Sequence, residues 1–274
     1  MRLALSEIST VNASFAEDVA AYAAAGFDAI GIWEFKLPED DAANVAALRK
    51  AGLAVANCVP AVPTILQLRL PGMEGPPDVE ERVASLCASM RRLAAYEPES
   101  ALVITGPTGE RDPDEARALV VEGLREVAAA AREAGVRLGL EPIHPGQRDS
   151  VSFVNSIADA LALLDEAGLD EVGIMADTYN LWHEPPEALA AVASRVTGLH
   201  VADEPAEPGR GDRVLPGEGG TRSREHLHAL RAAGWDGFLD VEIFSTPDRF
   251  WALPVEEAAR RAYVAAASLA QTVP

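Results

Sequence analysis

The chain has 274 residues, 49% of them hydrophobic, with 43 Asp and Glu against 23 Lys and Arg for a formal net charge of −20. That length is enough for one large core or two modest ones, and no linker divides it. The acidity leaves little attraction for a polyanion, because nucleic-acid affinity comes mostly from cations that neutralise phosphates.

Lys36 and Lys50 are the two lysines, so mechanisms that need a Schiff-base lysine have almost no candidates. Cys58 and Cys87 have neither a CxxC nor a Cys/His spacing and read as buried thiols. The opening MRLALSEIST lacks the apolar core of a signal peptide, and no apolar run approaches the ~20 residues needed to span a bilayer. The expectation is a cytoplasmic protein with one domain over residues 1–274.

In chain order, the first strand is expected around Leu3 to Ser6. A helix follows from Ser14, where Ser14 and Glu17 make a capping box and Phe15, Val19 and Tyr22 share one face. Ala29 to Trp33 reads as the second strand and Asp41 to Ala51 as its helix. The third strand, Ala54 to Val59, runs into a Pro-rich loop, after which Val79, Val83, Leu86, Met90 and Leu93 form one helical stripe. Ala101 to Thr105 and Arg137 to Glu141 are strands four and five, with helices from Asp114 to Ala134 and through Ile157, Leu161 and Leu164. Strand six is Val172 to Asp177, followed by a short helix near Glu187 to Ser194. Strand seven starts at Val196 and carries His200, and strand eight is Gly237 to Ile243. Their helices are Glu225 to Ala233 and Val255 to Ala270.

Five junctions punctuate this alternation: Ala25-Gly26, Ala51-Gly52, Ala134-Gly135, Ala167-Gly168 and Ala233-Gly234. Each closes a helix with a glycine suited to the left-handed conformation and opens a strand. Eight strands and eight helices in a chain close to the ~250 residues typical of the architecture predict an α/β fold, a single (β/α)8 TIM barrel. A doubly wound sheet would announce itself with a glycine-rich phosphate loop after the first strand, and Ser6 to Asn12 has none.

In such a barrel, chemistry sits at the C-terminal ends of the strands. Strand five ends in Glu141 and strand six in Asp177, while strands seven and eight carry His200 and Glu242. A lone residue of this kind reads as a structural ion pair or a helix cap, but four from consecutive strands converge on one mouth. Three carboxylates gathered there would repel one another, and a divalent cation is the simplest way to keep them ionised. The mostly hard oxygen set suits Mn²⁺ first, then Mg²⁺ or Co²⁺, with Zn²⁺ compatible.

Five separated motifs then resemble one family: Gly139-Leu-Glu-Pro142, Ala176-Asp-Thr-Tyr-Asn180, Leu199-His-Val-Ala-Asp203, Arg213-Val-Leu-Pro-Gly-Glu-Gly219 and Asp236-Gly-Phe-Leu-Asp-Val-Glu-Ile-Phe244. In this order they resemble the xylose isomerase-like barrels, and within them the ketose 3-epimerases and hydroxypyruvate isomerase-type enzymes. The resemblance implies that Glu141, Asp177, His200 and Glu242 bind one divalent metal, that Glu141 and Glu242 are also acid and base, and that Arg213 holds a carbohydrate-like substrate. Two departures concern the substrate. Asn180 stands where the epimerases commonly have a histidine, with His183 three residues on, and His144 or Gln147 stands where they often carry a second glutamate.

His144, Asn180, His183 and Trp33 are therefore candidate substrate contacts, each against a plainer reading as loop or packing residues. Without the family pattern, Arg213 reads as a surface partner of Asp212 or Glu218. Asp203 either orients His200 or caps the loop, and His226 and His228 read as solvated helix residues.

The leading expectation is a metal-dependent isomerase or epimerase of a sugar-like ketose, with no nucleic-acid or membrane partner and a homo-oligomer left open. A lyase using the same enolate on a keto-sugar or keto-glycoside is the alternative. Relatives that cleave abasic DNA use additional histidines, whereas this acidic chain has five in all. A non-catalytic sugar-binding barrel is the remaining option.

Overall fold

In the computed structural model, which describes residues 1–205 and 212–271, the apolar runs become eight parallel strands. They are β1 (Arg2–Ser6), β2 (Ala29–Trp33), β3 (Ala54–Val59), β4 (Ser100–Val103), β5 (Leu138–Leu140), β6 (Gly173–Asp177), β7 (Val196–Val201) and β8 (Phe238–Val241). The helices between and after them are α1 (Phe15–Ala25), α2 (Asp41–Ala51), α3 (Val79–Leu93), α4 (Pro113–Ala134), α5 (Ile157–Ala167), α6 (Pro186–Ala191), α7 (Ser223–Ala232) and α8 (Val255–Gln271). The strands pair in chain order and β1 also pairs with β8, which closes the expected (β/α)8 barrel. Residues 206–211, part of the long loop expected after strand seven, and the terminal 272–274 lie outside the described residues.

Local chemistry explains the boundaries. Ser14 and Glu17 make the capping box of α1, and the glycines of all five Ala-Gly junctions take positive φ, from 67° to 99°. β5 stops one residue short of the predicted Glu141, whose N–H still donates to Val103 O at 3.0 Å, because Pro142 has no N–H to extend the ladder. β4 stops at Val103 rather than Thr105 because the Pro-rich loop takes over the pairing. Ile104 N donates to Pro63 O at 2.8 Å and Leu66 N to Thr105 O at 2.8 Å. Gly106 sits beneath this loop, and a Cβ there would lie 2.3 Å from Leu66 O.

Most of the core lies between barrel and helices, with Leu5, Ile30, Leu124, Leu164 and Leu239 fully buried in one cluster. Inside the barrel, Ala4, Ala29, Ala56 and Phe238 form a small cluster toward the N-terminal end of the strands. Ile8, Trp33, Val59, Leu102 and Met175 form another toward the mouth. Cys58 is buried and Cys87 half-buried, both as free thiols.

His226 departs from the sequence expectation. Only His228 is solvated, while His226 is fully buried with Nε2 3.1 Å from Glu184 O, tying α7 to the loop before α6. Among the described residues no helix is long and apolar enough to cross a membrane.

Candidate active site

Alternation along a strand decides what reaches the barrel axis, since residues two apart share a face. Glu141, Asp177, His200 and Glu242 all end up buried at the C-terminal mouth. Glu141, Asp177 and His200 each bring one ligand atom to within 4.8 Å of the others. Glu242 is drawn elsewhere: its Oε2 lies 2.8 Å from the Arg213 guanidinium and 3.4 Å from His200 Nδ1.

Arg213 is not the surface partner of Asp212 or Glu218 that its neighbourhood in sequence suggests. The loop after β7 folds back through a two-way backbone bridge between Asp203 and Val214, and Arg213 N donates to Phe244 O at 2.7 Å. The guanidinium then lies between the Tyr179 and Phe244 rings, at 4.5 Å and 4.9 Å from their centres, and also contacts Asp177 Oδ2 at 2.9 Å.

Asp203 caps this loop. Its carboxylate accepts from Gly217 N at 2.8 Å, Gly219 N at 3.2 Å and Ser223 Oγ at 2.7 Å. Gly219 packs so closely that a Cβ would meet Glu204 O at 2.1 Å, which accounts for the Pro-Gly-x-Gly turn.

The remaining candidates divide into two groups. Asn180 is buried in the floor: Nδ2 donates to Glu141 Oε1 at 2.9 Å and Asp177 Oδ2 at 3.0 Å, and Oδ1 accepts from His144 N at 3.3 Å. Trp33 is buried in the wall, its Nε1 donating to Ser6 Oγ at 2.9 Å. Both line a cavity of about 280 Å³ together with Glu141, Arg213, Glu242 and Phe244. His144, His183 and Trp182 are off that lining. The His144 ring stacks on Trp182 at 5.6 Å and meets His183 edge-on at 5.4 Å.

The electrostatics follow from burial. Burial, then the charges of Asp177 and Glu242, pushes Glu141 well above the usual carboxylate range, with Arg213 opposing. Asp177 and Glu242 are likewise raised by burial against the pull of Arg213. Burial lowers His200 to about 4, so its imidazole is neutral near pH 7. His200 Nδ1 is buried without a hydrogen-bond partner, while Nε2 faces Asn57 Oδ1 at 3.3 Å. A neutral ring nitrogen aimed at carboxylates is the donor a metal ion uses.

The family profile described as xylose isomerase-like TIM barrel matches residues 19–266. The chain belongs to the xylose isomerase-like TIM barrel family. It is 30% identical over 131 residues to the D-psicose 3-epimerase of Enterocloster bolteae, covering 47% of this chain and 40% of that protein. It is 28% identical over 146 residues to the 3-dehydroshikimate dehydratase of Pseudomonas aeruginosa, covering 50% of this chain and 22% of that protein. In both cases the match spans well under two thirds of the relative. Among solved structures, the IolI protein with a bound zinc atom superposes with a TM-score of 0.81 at 20% identity, over 100% of this chain and 99% of that one.

Two buried neighbours of His200 are not singled out by the sequence. Asp240 is buried beside His200, 3.8 Å from its Nε2, and accepts from Asn57 Nδ2. Burial, then the charge of Glu242, pushes Asp240 well above the usual carboxylate range. The signal was present in Leu239-Asp-Val-Glu242: a period of two puts Asp240 on the same inward face as Glu242. Nothing local marks Asn57, which lies 183 residues away from Asp240 in the chain.

Proposed function

We propose that the protein is a divalent-metal-dependent isomerase or epimerase of a sugar-like hydroxy-ketone. The observation that carries this reading is the convergence of buried Glu141, Asp177 and His200, with ligand atoms within 4.8 Å of one another and His200 Nδ1 without a hydrogen-bond partner, beside a cavity that Glu141 and Glu242 line. Glu141, Asp177, His200 and Glu242 would hold the ion. Its mostly oxygen donor set favours Mn²⁺, with Mg²⁺, Co²⁺ or Zn²⁺ compatible. Such an ion would supply Lewis-acid polarisation of a ketone, which acidifies the C–H of the neighbouring hydroxyl-bearing carbon.

Glu141 and Glu242 arrive from β5 and β8. One takes the proton from the carbon beside the carbonyl and the other returns it, inverting that centre or moving the carbonyl. Arg213, clamped between Tyr179 and Phe244, is a rigid donor at the edge of the cavity, and Asn180 fixes the orientation of Glu141. A cytoplasmic setting and small-molecule substrates belong to the same reading.

The test is to load the purified protein with Mn²⁺ and incubate ketoses and keto-glycosides in D₂O. Deuterium at a carbon next to the carbonyl, without loss of a leaving group, is the expected NMR result. A protein that takes up no stoichiometric divalent metal and exchanges no candidate contradicts the reading. Elimination through the same enolate is the second reading, favoured by the match to a 3-dehydroshikimate dehydratase. Exchange accompanied by release of water or an aglycone would select it.

A further inference from the structure

The loop after β3 is rich in proline and aliphatic residues, and a free loop would leave Leu68 and Leu70 in water. The fold instead straps it across the barrel mouth. Besides the backbone ladder to Ile104 and Thr105, the Arg82 side chain of α3 is buried and spends its donors on the loop. Nε donates to Thr64 O at 2.9 Å, and Nη1 donates to Glu74 O and Pro76 O at 2.8 Å each. An arginine buried against carbonyls, with no carboxylate among these partners, fixes the wall in place.

That wall is apolar. Leu68 packs with Ile143 and Val151, and Leu70 and Ile104 rest on them. Ile104 also packs against the cluster of Trp33, Val59 and Leu102, so two apolar patches merge into one surface around the cavity. The cavity is thus divided: Glu141, Asn180, Arg213 and Glu242, joined by Gln147, form its polar part, and hydrocarbon covers most of the remainder. A free ketose presents hydroxyls on every side, and those pressed against Leu68 or Ile104 would lose water and gain no partner. The Trp33 indole N–H is already bound to Ser6. Arg213 is the one cation among the described lining residues, and it is engaged by Asp177 and Glu242.

We infer that the substrate of this site is uncharged and carries an aryl-type apolar substituent remote from its reacting hydroxy-ketone, as an aryl keto-glycoside does. The inference rests on the reading of Glu141 and Glu242 as the proton-transfer pair. A planar substituent fits against Trp33 and Phe244, whose rings meet edge-on at 5.6 Å, and against the aliphatic face opposite.

Binding and chemistry are measured separately to test this. Calorimetry on the Mn²⁺-loaded protein compares phenyl and methyl β-D-glucosides, which cannot enolise. The phenyl compound is expected to bind at least about tenfold tighter, as burial of a ring predicts. Leu68→Asn and Leu70→Gln should shrink that ratio toward one. Leu70 is half-buried on the loop, so its replacement spares the core. Equal binding, tighter methyl binding or no binding of either overturns the inference. Deuterium exchange is then followed with the phenyl and methyl 3-keto-glucosides. Preferred phenyl binding without any exchange sinks the enolisation reading while the apolar pocket stands. Exchange without phenyl preference does the reverse.

Discussion

Two groups of buried charges occupy the ends of the strands, and they are neutralised in different ways. After β1 and β2, Lys36 reaches into a sealed space where its ammonium donates to Glu7 O at 3.2 Å, Thr10 O at 2.9 Å and the Asp18 carboxylate. All three ammonium protons are used. Glu7 Oε2 accepts from Trp33 N at 2.9 Å, and burial raises Glu7 well above its ordinary range and Asp18 to about 6, with Lys36 opposing both. At the mouth formed by β5 to β8, one guanidinium faces Asp177 and Glu242, Glu141 is left with the Asn180 amide, and His200 Nδ1 has no partner. Both groups combine burial, like charges and shifted proton affinities. Each leaves a buried atom without a hydrogen-bond partner, Glu7 Oε1 in the first and His200 Nδ1 in the second, but of the two it is the second whose carboxylates line the cavity. That contrast separates a structural charge cluster from a candidate catalytic one more sharply than burial or pKa displacement does.

The largest expected effect is on the open cluster. Glu141→Gln or Glu242→Gln should lower the rate of deuterium exchange by about 100- to 10,000-fold, the usual worth of a positioned acid or base, while circular dichroism stays unchanged. An active Glu242→Gln variant would move that residue to the structural side of the contrast. Next comes Lys36→Met, which strands Glu7 and Asp18 without their cation. Breaking a buried pair from one side costs about 3–5 kcal/mol, so urea unfolding should show a loss of that order. Exchange per folded molecule should persist. If it vanishes while the fold survives, the sealed cluster takes part in the chemistry and the distinction fails.

Metal addition separates the two regions more finely. At 100 times its dissociation constant, an ion that binds only the folded state raises stability by about 2.7 kcal/mol. Mn²⁺ should therefore raise the melting temperature of the chelator-treated protein, and His200→Ala should remove that increment. Lys36→Met should start lower and gain as much as the wild type. A metal response that survives His200→Ala would place the ion elsewhere.

The contrast also explains how much could be read in advance. Eight strands and their helices were legible because each is a local pattern: Phe15, Val19 and Tyr22 on one face, or glycine after the last turn at Gly26 and Gly168. The four strand-end residues were legible because barrel topology converts sequence order into convergence on one mouth. The partners that neutralise each cluster were not. Lys36 meets Asp18 across 18 residues, Arg213 meets Glu242 across 29, and Asn57 meets Asp240 across 183. A charge that looks solvated in its local window, as Arg213 does beside Asp212, becomes buried only when a distant loop folds over it. The same reason hid the apolar wall, whose Leu68 and Ile143 come from different crossovers.

His226 gives the smallest test, because it is a buried titratable group outside both clusters. Burial lowers its proton affinity, although its contacts with the Glu184 and Arg222 backbones oppose this. In the unfolded chain a histidine titrates near 6.5. As pH falls below that value the unfolded state binds the proton first, so this contribution to stability is present above 6.5 and lost on acidification. The slope for one such group is at most about 1.4 kcal/mol per pH unit. His200, lowered to about 4, acts in the same direction, while the raised carboxylates act in the opposite one, so the sign for the whole protein is a balance. The informative quantity is the difference between wild type and His226→Gln, whose amide can still donate to Glu184 O but does not titrate. Between pH 7 and 5.5 the wild type should lose more stability than the variant, within that limiting slope. Parallel curves would show that His226 protonates as readily when folded, and that the contact between α7 and the Glu184 loop opens to water.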